Sequence, residues 1–141
     1  MNKLIKKQKK NNKGFSLVEL IVVIAIMAVL VGVIAPQFLG YTDKAKKATD
    51  VQNAQQLAQE IAIEIAEADA VTEVTDAEVV TTDGTYNVQA VPVPKFESGE
   101  VFLYLVDASG NVEVGVGAVD GEANVTSYTQ LYPVVSGDYS N

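Results

Sequence analysis

One carboxylate stands alone in a long apolar stretch near the N terminus. Between Phe15 and Leu39 the only ionisable side chain is that of Glu19. A charged carboxylate in the hydrocarbon of a bilayer costs about 2.5 to 3.5 kcal/mol at the centre of a helix, and it calls for a partner of opposite charge. The sequence therefore predicts that Glu19 either forms an ion pair or reaches the rim of a membrane.

A second set of oxygen-bearing side chains alternates along the chain and is spaced as in a short calcium loop. Its members are Asp107, Ser109, Asn111 and Glu113. The set lacks a full ligand sphere and is more simply interpreted as a hairpin turn, so no metal and no cofactor are predicted. Asn124 begins a glycosylation sequon, a pattern that often occurs by chance.

The inventory of side chains excludes the commonest catalytic arrangements. The chain has no cysteine, histidine, tryptophan or arginine, so Ser/His/Asp and Cys/His catalysis and the usual zinc sites are ruled out. Glu60, Glu64 and Glu67 are spaced as a solvated helix face rather than as an acid/base pair. We predict that the chain is not an enzyme; a hydrolase built only from carboxylates is the alternative that this inventory leaves open.

Charge is divided unevenly along the 141 residues. Six lysines and no acidic residue precede Phe15, whereas four lysines and all eighteen acidic residues follow, which gives this body a net charge of −14. Because nucleic-acid binding needs clustered cations, none is predicted for the body. The basic segment predicts a cytoplasmic N terminus and an external C-terminal domain by the positive-inside rule.

One long helix must position Glu19. The span from Phe15 to Leu39 is long enough to cross the roughly 30 Å core of a bilayer, and a helical pattern continues to Ala68, which predicts a helix of roughly 80 Å. Its first half is apolar on all sides. In its second half, apolar residues recur at steps of three and four and form a stripe: Ala45, Ala48, Val51, Ala54, Leu57, Ala58, Ile61, Ile65 and Ala68.

Beyond the helix the pattern changes to the period of two that is typical of strands. Residues 78–82 and 85–91, joined by Asp83-Gly84, predict a hairpin. Residues 100–106 and 112–118 predict a second strand pair around the turn at 107–111, with Gly115 and Gly117 on a flat or wet face, and residues 125–135 predict a last strand. Together these elements predict an α+β fold, in which the apolar stripe of the helix packs on an antiparallel sheet of three to four strands.

The N-terminal segment as a whole resembles the type IV pilin family. The resemblance covers about the first seventy residues: Gly14-Phe15 after a lysine-rich segment, then residues 16–20, then the apolar helix with Pro36 and Tyr41. It implies that a membrane prepilin peptidase cuts between Gly14 and Phe15 and methylates the new Phe15 amine. It also implies that apolar helices of many subunits bundle in the core of a filament.

This resemblance gives Glu19 a partner. Cleavage before Phe15 would create an amine one helical turn from Glu19, and an amine with a pKa near 8 is mostly cationic at neutral pH. In a staggered bundle, Glu19 of one subunit could neutralise the Phe15 amine of its neighbour and so set the register of assembly.

Three residues weaken the helix between its two halves. Gly32, Pro36 and Gly40 each lower helix propensity, and Pro36 removes one backbone hydrogen bond. Two interpretations stay open: a simple kink, or local unwinding when the subunit leaves lipid for the filament.

The resemblance implies four segments: a cleaved basic leader (1–14), a transmembrane and filament-core helix (15–39), the amphipathic second half of the helix (40–69) and an extracellular β-sheet domain (70–141). The function implied is that of a major pilin, which is a single-pass protein of the cytoplasmic membrane as a precursor and a cell-surface pilus when assembled. Its implied partners are further copies of itself, a prepilin peptidase, an assembly platform protein and an ATPase.

Two other functions remain open. A pseudopilin of a type II secretion or DNA-uptake system would share the leader and the helix, and a membrane-anchored binding domain would never polymerise. The absence of cysteine also differs from the many Gram-negative pilins whose C-terminal loop is closed by a disulfide, and it favours a Gram-positive source.

Overall fold

The computed structural model describes residues 14–140, so the lysine-rich segment before Gly14 lies outside the described residues. It has the predicted α+β arrangement, a long N-terminal helix packed on an antiparallel sheet of four strands. The elements are helix α1 (Leu17–Glu67), strands β1 (Val74–Val79), β2 (Val101–Val106), β3 (Val112–Gly117) and β4 (Thr129–Tyr132), and a 3₁₀ helix (Gly137–Tyr139).

The chain divides into two compact units, with the boundary between Leu39 and Gly40. In the first unit, every described residue up to Leu39 is exposed. The most apolar 18-residue window of α1 has a mean hydropathy of 3.1, and none of it is buried. By length and composition alone, α1 could cross a membrane.

The second unit has one core between α1 and the sheet. The helix contributes Ala54, Leu57, Ala58 and Ile61, and it also buries Asp50. The predicted stripe is confirmed at its centre, but its ends were wrong, because Ala45, Ala48 and Ala68 are exposed. The sheet residues of the core are Val74, Phe102, Tyr104, Val106, Val112, Val114, Val116 and Leu131.

The sheet has the simple order β1-β2-β3-β4, with every neighbouring pair antiparallel. The predicted pair at 100–106 and 112–118 is confirmed, since Val101 pairs with Gly117 and Val106 with Val112.

The predicted hairpin at 78–91 was wrong. Strand β1 pairs with β2, and residues 85–91 form no strand. Tyr86 and Val88 have the spacing of inward-facing strand residues, but both enter the core from a loop. The backbone N–H of Tyr86 donates to the Tyr104 hydroxyl at 3.3 Å, and the Tyr86 hydroxyl both donates to the Thr72 carbonyl and accepts from the Thr72 N–H at 2.8 Å.

The end of the chain also departs from its prediction. Only Thr129–Tyr132 of the predicted strand 125–135 is a strand, while Val125 forms an isolated bridge with Val119. The backbone just before β4 covers β3, so Gly115 and Gly117 are buried rather than flat and wet. A Cβ on Gly115 would lie only 2.6 Å from the Tyr128 ring, and this close approach requires glycine.

Candidate functional site

Glu19 caps the start of its own helix. The backbone N–H of Ser16 donates to Glu19 Oε2 at 2.8 Å, and the N–H of Leu20 donates to the Ser16 carbonyl at 3.2 Å. The backbone half of this arrangement is that of a capping box, in which the third residue of a helix satisfies the N–H of the capping residue. Sequence reasoning missed this role, although Ser-Leu-Val-Glu before an apolar run is its usual signal.

The cap suits a carboxylate for electrostatic reasons as well. The N terminus of a helix carries a partial positive charge, which favours a negative side chain in the first turn. Glu19 is exposed, and its second oxygen makes no hydrogen bond within residues 14–140. The carboxylate can therefore accept from another group without first leaving a buried site.

The residues around the predicted cleavage position are open to solvent. Phe15 is 93% exposed, and Gly14 precedes the helix with no atom within 4 Å of where a Cβ would lie. Gly32, Pro36 and Gly40 lie inside α1, which is continuous through all three. Apart from the adjacent residues and the surrounding turns of helix backbone, no atom lies within 4 Å of a Cβ built on Gly32 or Gly40, so packing requires neither glycine.

Comparisons with known proteins bear on this segment. Residues 9–35 match the family model described as the prokaryotic N-terminal methylation motif. Prepilin peptidase-dependent protein A of Clostridium perfringens is 36% identical to the chain over 84 residues, which are 59% of this chain and 60% of that relative. These findings support a type IV pilin-like family. No solved structure matches the chain.

The match to that relative therefore spans three-fifths of its length. The motif and the apolar helix together favour membrane anchoring of the precursor.

Three of the four calcium candidates, Asp107, Ser109 and Asn111, form a closed turn between β2 and β3. Asp107 Oδ1 accepts the N–H groups of Ser109 at 2.8 Å and Asn111 at 2.9 Å, and Oδ2 accepts the Asn111 side-chain amide at 2.7 Å. These hydrogen bonds, that of the Asn111 side chain foremost, lower the pKa of Asp107. Glu113 is exposed on β3, and within residues 14–140 no group of three or more acidic residues could hold a metal ion.

A twin of this turn lies at residues 120–124. Asp120 accepts the N–H groups of Glu122 and Asn124 at 2.9 Å and the Asn124 side-chain amide at 3.0 Å. The backbone bonds of the two turns also correspond, and Gly110 and Ala123 occupy the same left-handed position, with φ of 82° and 64°. Sequence reasoning missed the shared signal, an Asp followed four residues later by an Asn.

Asp50 was also missed and is the buried polar centre of the second unit. This carboxylate, fully buried on α1, accepts the N–H groups of Lys95 at 2.7 Å and Phe96 at 2.9 Å and the Tyr139 hydroxyl at 3.2 Å. Burial, together with the negative charges of Asp50 and Glu100, raises the pKa of Tyr139. Asp50 thus ties the helix to the loop before β2 and to the C-terminal 3₁₀ helix; its position within the apolar stripe was the available signal.

Two of the three acids on the predicted solvated face are partly covered by a loop, to which both bond. Glu60 accepts the backbone N–H of Gln89 at 3.1 Å, and Glu64 accepts both the backbone N–H and the side-chain amide of Asn87. These glutamates fasten the loop at 85–91 to the helix. Glu67 is exposed and makes no hydrogen bond or ion pair within residues 14–140.

Proposed function

We propose that this chain is a structural subunit, the major pilin of a type IV pilus. A prepilin peptidase cuts between Gly14 and Phe15 and methylates the Phe15 amine. The mature chain then polymerises through its N-terminal helix, with an assembly platform protein and an ATPase as further partners. The acidic sheet domain faces outward at the cell surface.

The observation that carries this proposal is the first unit itself. Residues 17–39 form a helix whose large apolar side chains are all exposed, with Glu19 as the one charge in its first turn. Moving each such side chain out of water contributes about 1.5 to 3 kcal/mol, so the helix needs lipid or other helices around it. A bundle of identical helices provides that environment after the subunit leaves the membrane.

Glu19 gains a second partner on assembly. In the single chain it accepts the N–H of Ser16, and its second oxygen is open to a new donor. Cleavage would supply the cationic Phe15 amine of a neighbouring copy, and a bond between that amine and the second oxygen would join opposite charges. The helix cap thus keeps the carboxylate in a defined position until assembly.

The mass of the mature N terminus and negative-stain images of sheared surface material test the proposal together. We expect a chain that begins at Phe15 and carries one added methyl group, in filaments many subunits long. An uncut Met1 terminus would contradict the proposal and favour a membrane-anchored binding domain. Short fibres that stay in the cell envelope would instead identify a pseudopilin.

A filament map would also test the role of Gly32, Pro36 and Gly40. Gly32 and Gly40 have no side chain whose packing unwinding would break, and Pro36 has no N–H to contribute to the helix. We propose that helix density is interrupted around Pro36 in the assembled subunit. Continuous density would leave Pro36 as a simple kink.

A further inference from the structure

Two carboxylates reach one hydroxyl near the end of the chain. Asp50 Oδ2 lies 3.2 Å from the Tyr139 hydroxyl oxygen, and Glu100 Oε2 lies 3.5 Å from the same atom. The three side chains belong to different segments, since Asp50 is on α1, Glu100 directly precedes β2 and Tyr139 ends the 3₁₀ helix. Asp50 and Tyr139 are buried, and Glu100 is half-buried. One hydroxyl is thus the point where three segments meet.

The number of hydrogens at this point limits the hydrogen bonds that can form. A tyrosine hydroxyl has one hydrogen to donate, whereas an ionised carboxylate has none. The Tyr139 hydroxyl can therefore donate to Asp50 or to Glu100 but not to both. Asp50 is the closer acceptor. An ionised Glu100 then faces the Tyr139 oxygen at 3.5 Å with no hydrogen between the two atoms.

A proton bound to Glu100 would supply the missing hydrogen. Each Asp50 oxygen already accepts a backbone N–H, Oδ1 from Lys95 and Oδ2 from Phe96, so neither is placed to hold a proton of its own. Glu100 has no such donors, and Tyr139 is its one hydrogen-bond partner within residues 14–140. The carboxyl group that can take up a proton here is therefore that of Glu100.

The charges on the segments that meet here are mostly negative. Their charged and titratable side chains are Lys47 and Asp50 of α1, Lys95 and Glu97 of the loop before β2, Glu100 itself, and Asp138 and Tyr139 of the 3₁₀ helix. Within residues 14–140 neither Asp50 nor Glu100 forms an ion pair. The Lys47 ammonium instead donates to the Asp138 carbonyl and lies 4.5 Å from the centre of the Phe96 ring.

These surroundings favour the neutral form of Glu100. Burial, and then the negative charge of Glu97, raise the pKa of Glu100 above its ordinary value of 4.5. The hydrogen bond with Tyr139 lowers this pKa, and the charge of Asp50 raises it further. Glu100 therefore takes up its proton at a higher pH in the folded chain than in the unfolded chain.

We propose that Glu100, Tyr139 and Asp50 form a proton-dependent clamp that fastens the C-terminal 3₁₀ helix to α1. When Glu100 takes up a proton from water, its O–H donates to the Tyr139 hydroxyl oxygen, and that hydroxyl continues to donate to Asp50. A continuous chain of hydrogen bonds then joins the start of β2, the 3₁₀ helix and α1. When Glu100 loses the proton, the first of these bonds is lost and a negative charge is left beside the hydroxyl oxygen.

The sign of the pH dependence follows from the raised pKa of Glu100. The folded chain holds this proton more tightly than the unfolded chain, so the clamp stabilises the fold at low pH. Its contribution falls as the pH rises from the unfolded pKa of Glu100 through the folded one. The clamp should therefore be closed at pH 4.5 and open at pH 7, which is opposite in direction to the effect of a lowered carboxyl pKa.

Amide hydrogen exchange of the full chain in detergent tests the clamp. The probes are the N–H of Phe96, which Asp50 accepts, and the N–H of Ser140, which bonds to the Gly137 carbonyl. Relative to the intrinsic exchange rate at each pH, their protection should be about fivefold greater at pH 4.5 than at pH 7, as one added hydrogen bond predicts. The midpoint should coincide with that of the Glu100 carboxyl carbon signal in nuclear magnetic resonance. Equal protection at both values of pH, or a different midpoint, would overturn the clamp.

Glu100→Gln separates the clamp from a merely structural role of this side chain. The glutamine amide has hydrogens to donate to the Tyr139 oxygen at every pH. This variant should therefore show the closed level of protection at both pH 4.5 and pH 7. Protection that still falls about fivefold between those values would show that another group is responsible and would overturn the proposal.

Glu97→Gln is the matched control, because Glu97 is exposed and makes no hydrogen bond within residues 14–140. Its charge contributes to the raised pKa of Glu100, so its removal should move the midpoint to lower pH and leave the fold-change in protection unaltered. Loss of the pH dependence in this variant would assign the proton to Glu97 and overturn the clamp. All these groups lie after Leu39, so the experiment does not depend on the proposed polymerisation.

Discussion

Glu19 has two possible roles that belong to different states of one residue. As the third residue of α1 it caps the helix through the N–H of Ser16, a role that any soluble helix could use. As the one charge in an apolar helix it is also poised to pair with an amine. A carboxylate satisfies both roles, whereas an amide satisfies only the first, so the two can be separated by substitution.

Ala123 is the residue whose backbone fits its side chain least well. Its φ of 64° is left-handed, and its twin in the other turn is Gly110. Ala123→Gly should stabilise the chain by about 0.5 to 1 kcal/mol, because the left-handed conformation is costly for a residue with a Cβ. Urea unfolding of the full chain in detergent, followed by circular dichroism, would measure the difference.

Gly110→Ala provides the inverse control for Ala123→Gly. A Cβ at Gly110 would lie 3.4 Å from the Ile65 side chain, which is an ordinary contact, so the expected loss reflects the backbone angle. Stabilities that change in the same direction in both variants would contradict the shared turn geometry.

A second prediction concerns the stability of a variant at Asp50. Asp50→Asn keeps the shape of the side chain but turns one acceptor into a donor, which leaves the N–H of Lys95 or of Phe96 without a partner. We expect a loss of about 1 to 3 kcal/mol in the free energy of unfolding, measured in the same urea assay. Asp76→Asn is the control, because Asp76 is exposed on β1. A similar loss of unfolding free energy in both variants would show that the hydrogen bonds of Asp50 do not stabilise the fold.

Among the secondary-structure elements, those marked by a pattern repeated along the sequence were predicted correctly. The helix is confirmed to within two residues at each end, because a continuous apolar run is followed without a break by apolar residues at steps of three and four. The hairpin at 78–91 was wrong because Asp83-Gly84 marks a bend but cannot say which strand follows. There, Tyr86 bonds to Thr72 and Tyr104, and Glu60 and Glu64 hold the loop, so distant residues replace a strand partner.

The candidate site residues also divide into those that local sequence spacing indicates and those that depend on distant contacts. Glu19, Gly14 and Phe15 could be proposed from the sequence because their spacing lies within a few residues of the chain. The burial of Asp50 depends on backbone N–H groups some 45 positions away. No local pattern brings those groups together; an acid within an apolar stripe was the only sign.

The stability contributed by the two matching turns, at 107–111 and 120–124, depends on pH. Hydrogen bonds lower the pKa values of Asp107 and Asp120 below their ordinary value of 3.8 in the folded chain. A lowered folded pKa means stability that is present above the unfolded pKa and is lost as the pH falls through the folded pKa. We therefore expect this contribution to be lost below about pH 4.

Each turn is the control for the other in this titration. Asn111→Ala removes the largest cause of the shift at Asp107, so nuclear magnetic resonance should show the pKa of Asp107 rising toward its ordinary value while that of Asp120 stays low. Asn124→Ala should do the reverse. A variant in which both values move, or neither, would contradict the independent turns.

The molecule combines a helix that exposes apolar surface to water with an acidic domain. The acidic domains of two copies repel each other. Assembly must overcome that repulsion through the helix, since the exposed apolar surface is concentrated there. The proposed pair of Glu19 with the Phe15 amine is a place where charge would favour assembly. Salt screens opposite charges and should weaken that attraction.

The most direct test of this account is the filament yield of Glu19→Gln beside that of Glu19→Ala. The amide oxygen of glutamine can still cap the Ser16 N–H, whereas alanine loses the cap, which is worth about 1 kcal/mol. We predict that both variants enter the membrane and begin at Phe15 after cleavage, but that neither forms filaments, because both lack the charge. Filaments at the yield of the unaltered chain from Glu19→Gln would show that capping is the function of Glu19 and would contradict the ion pair.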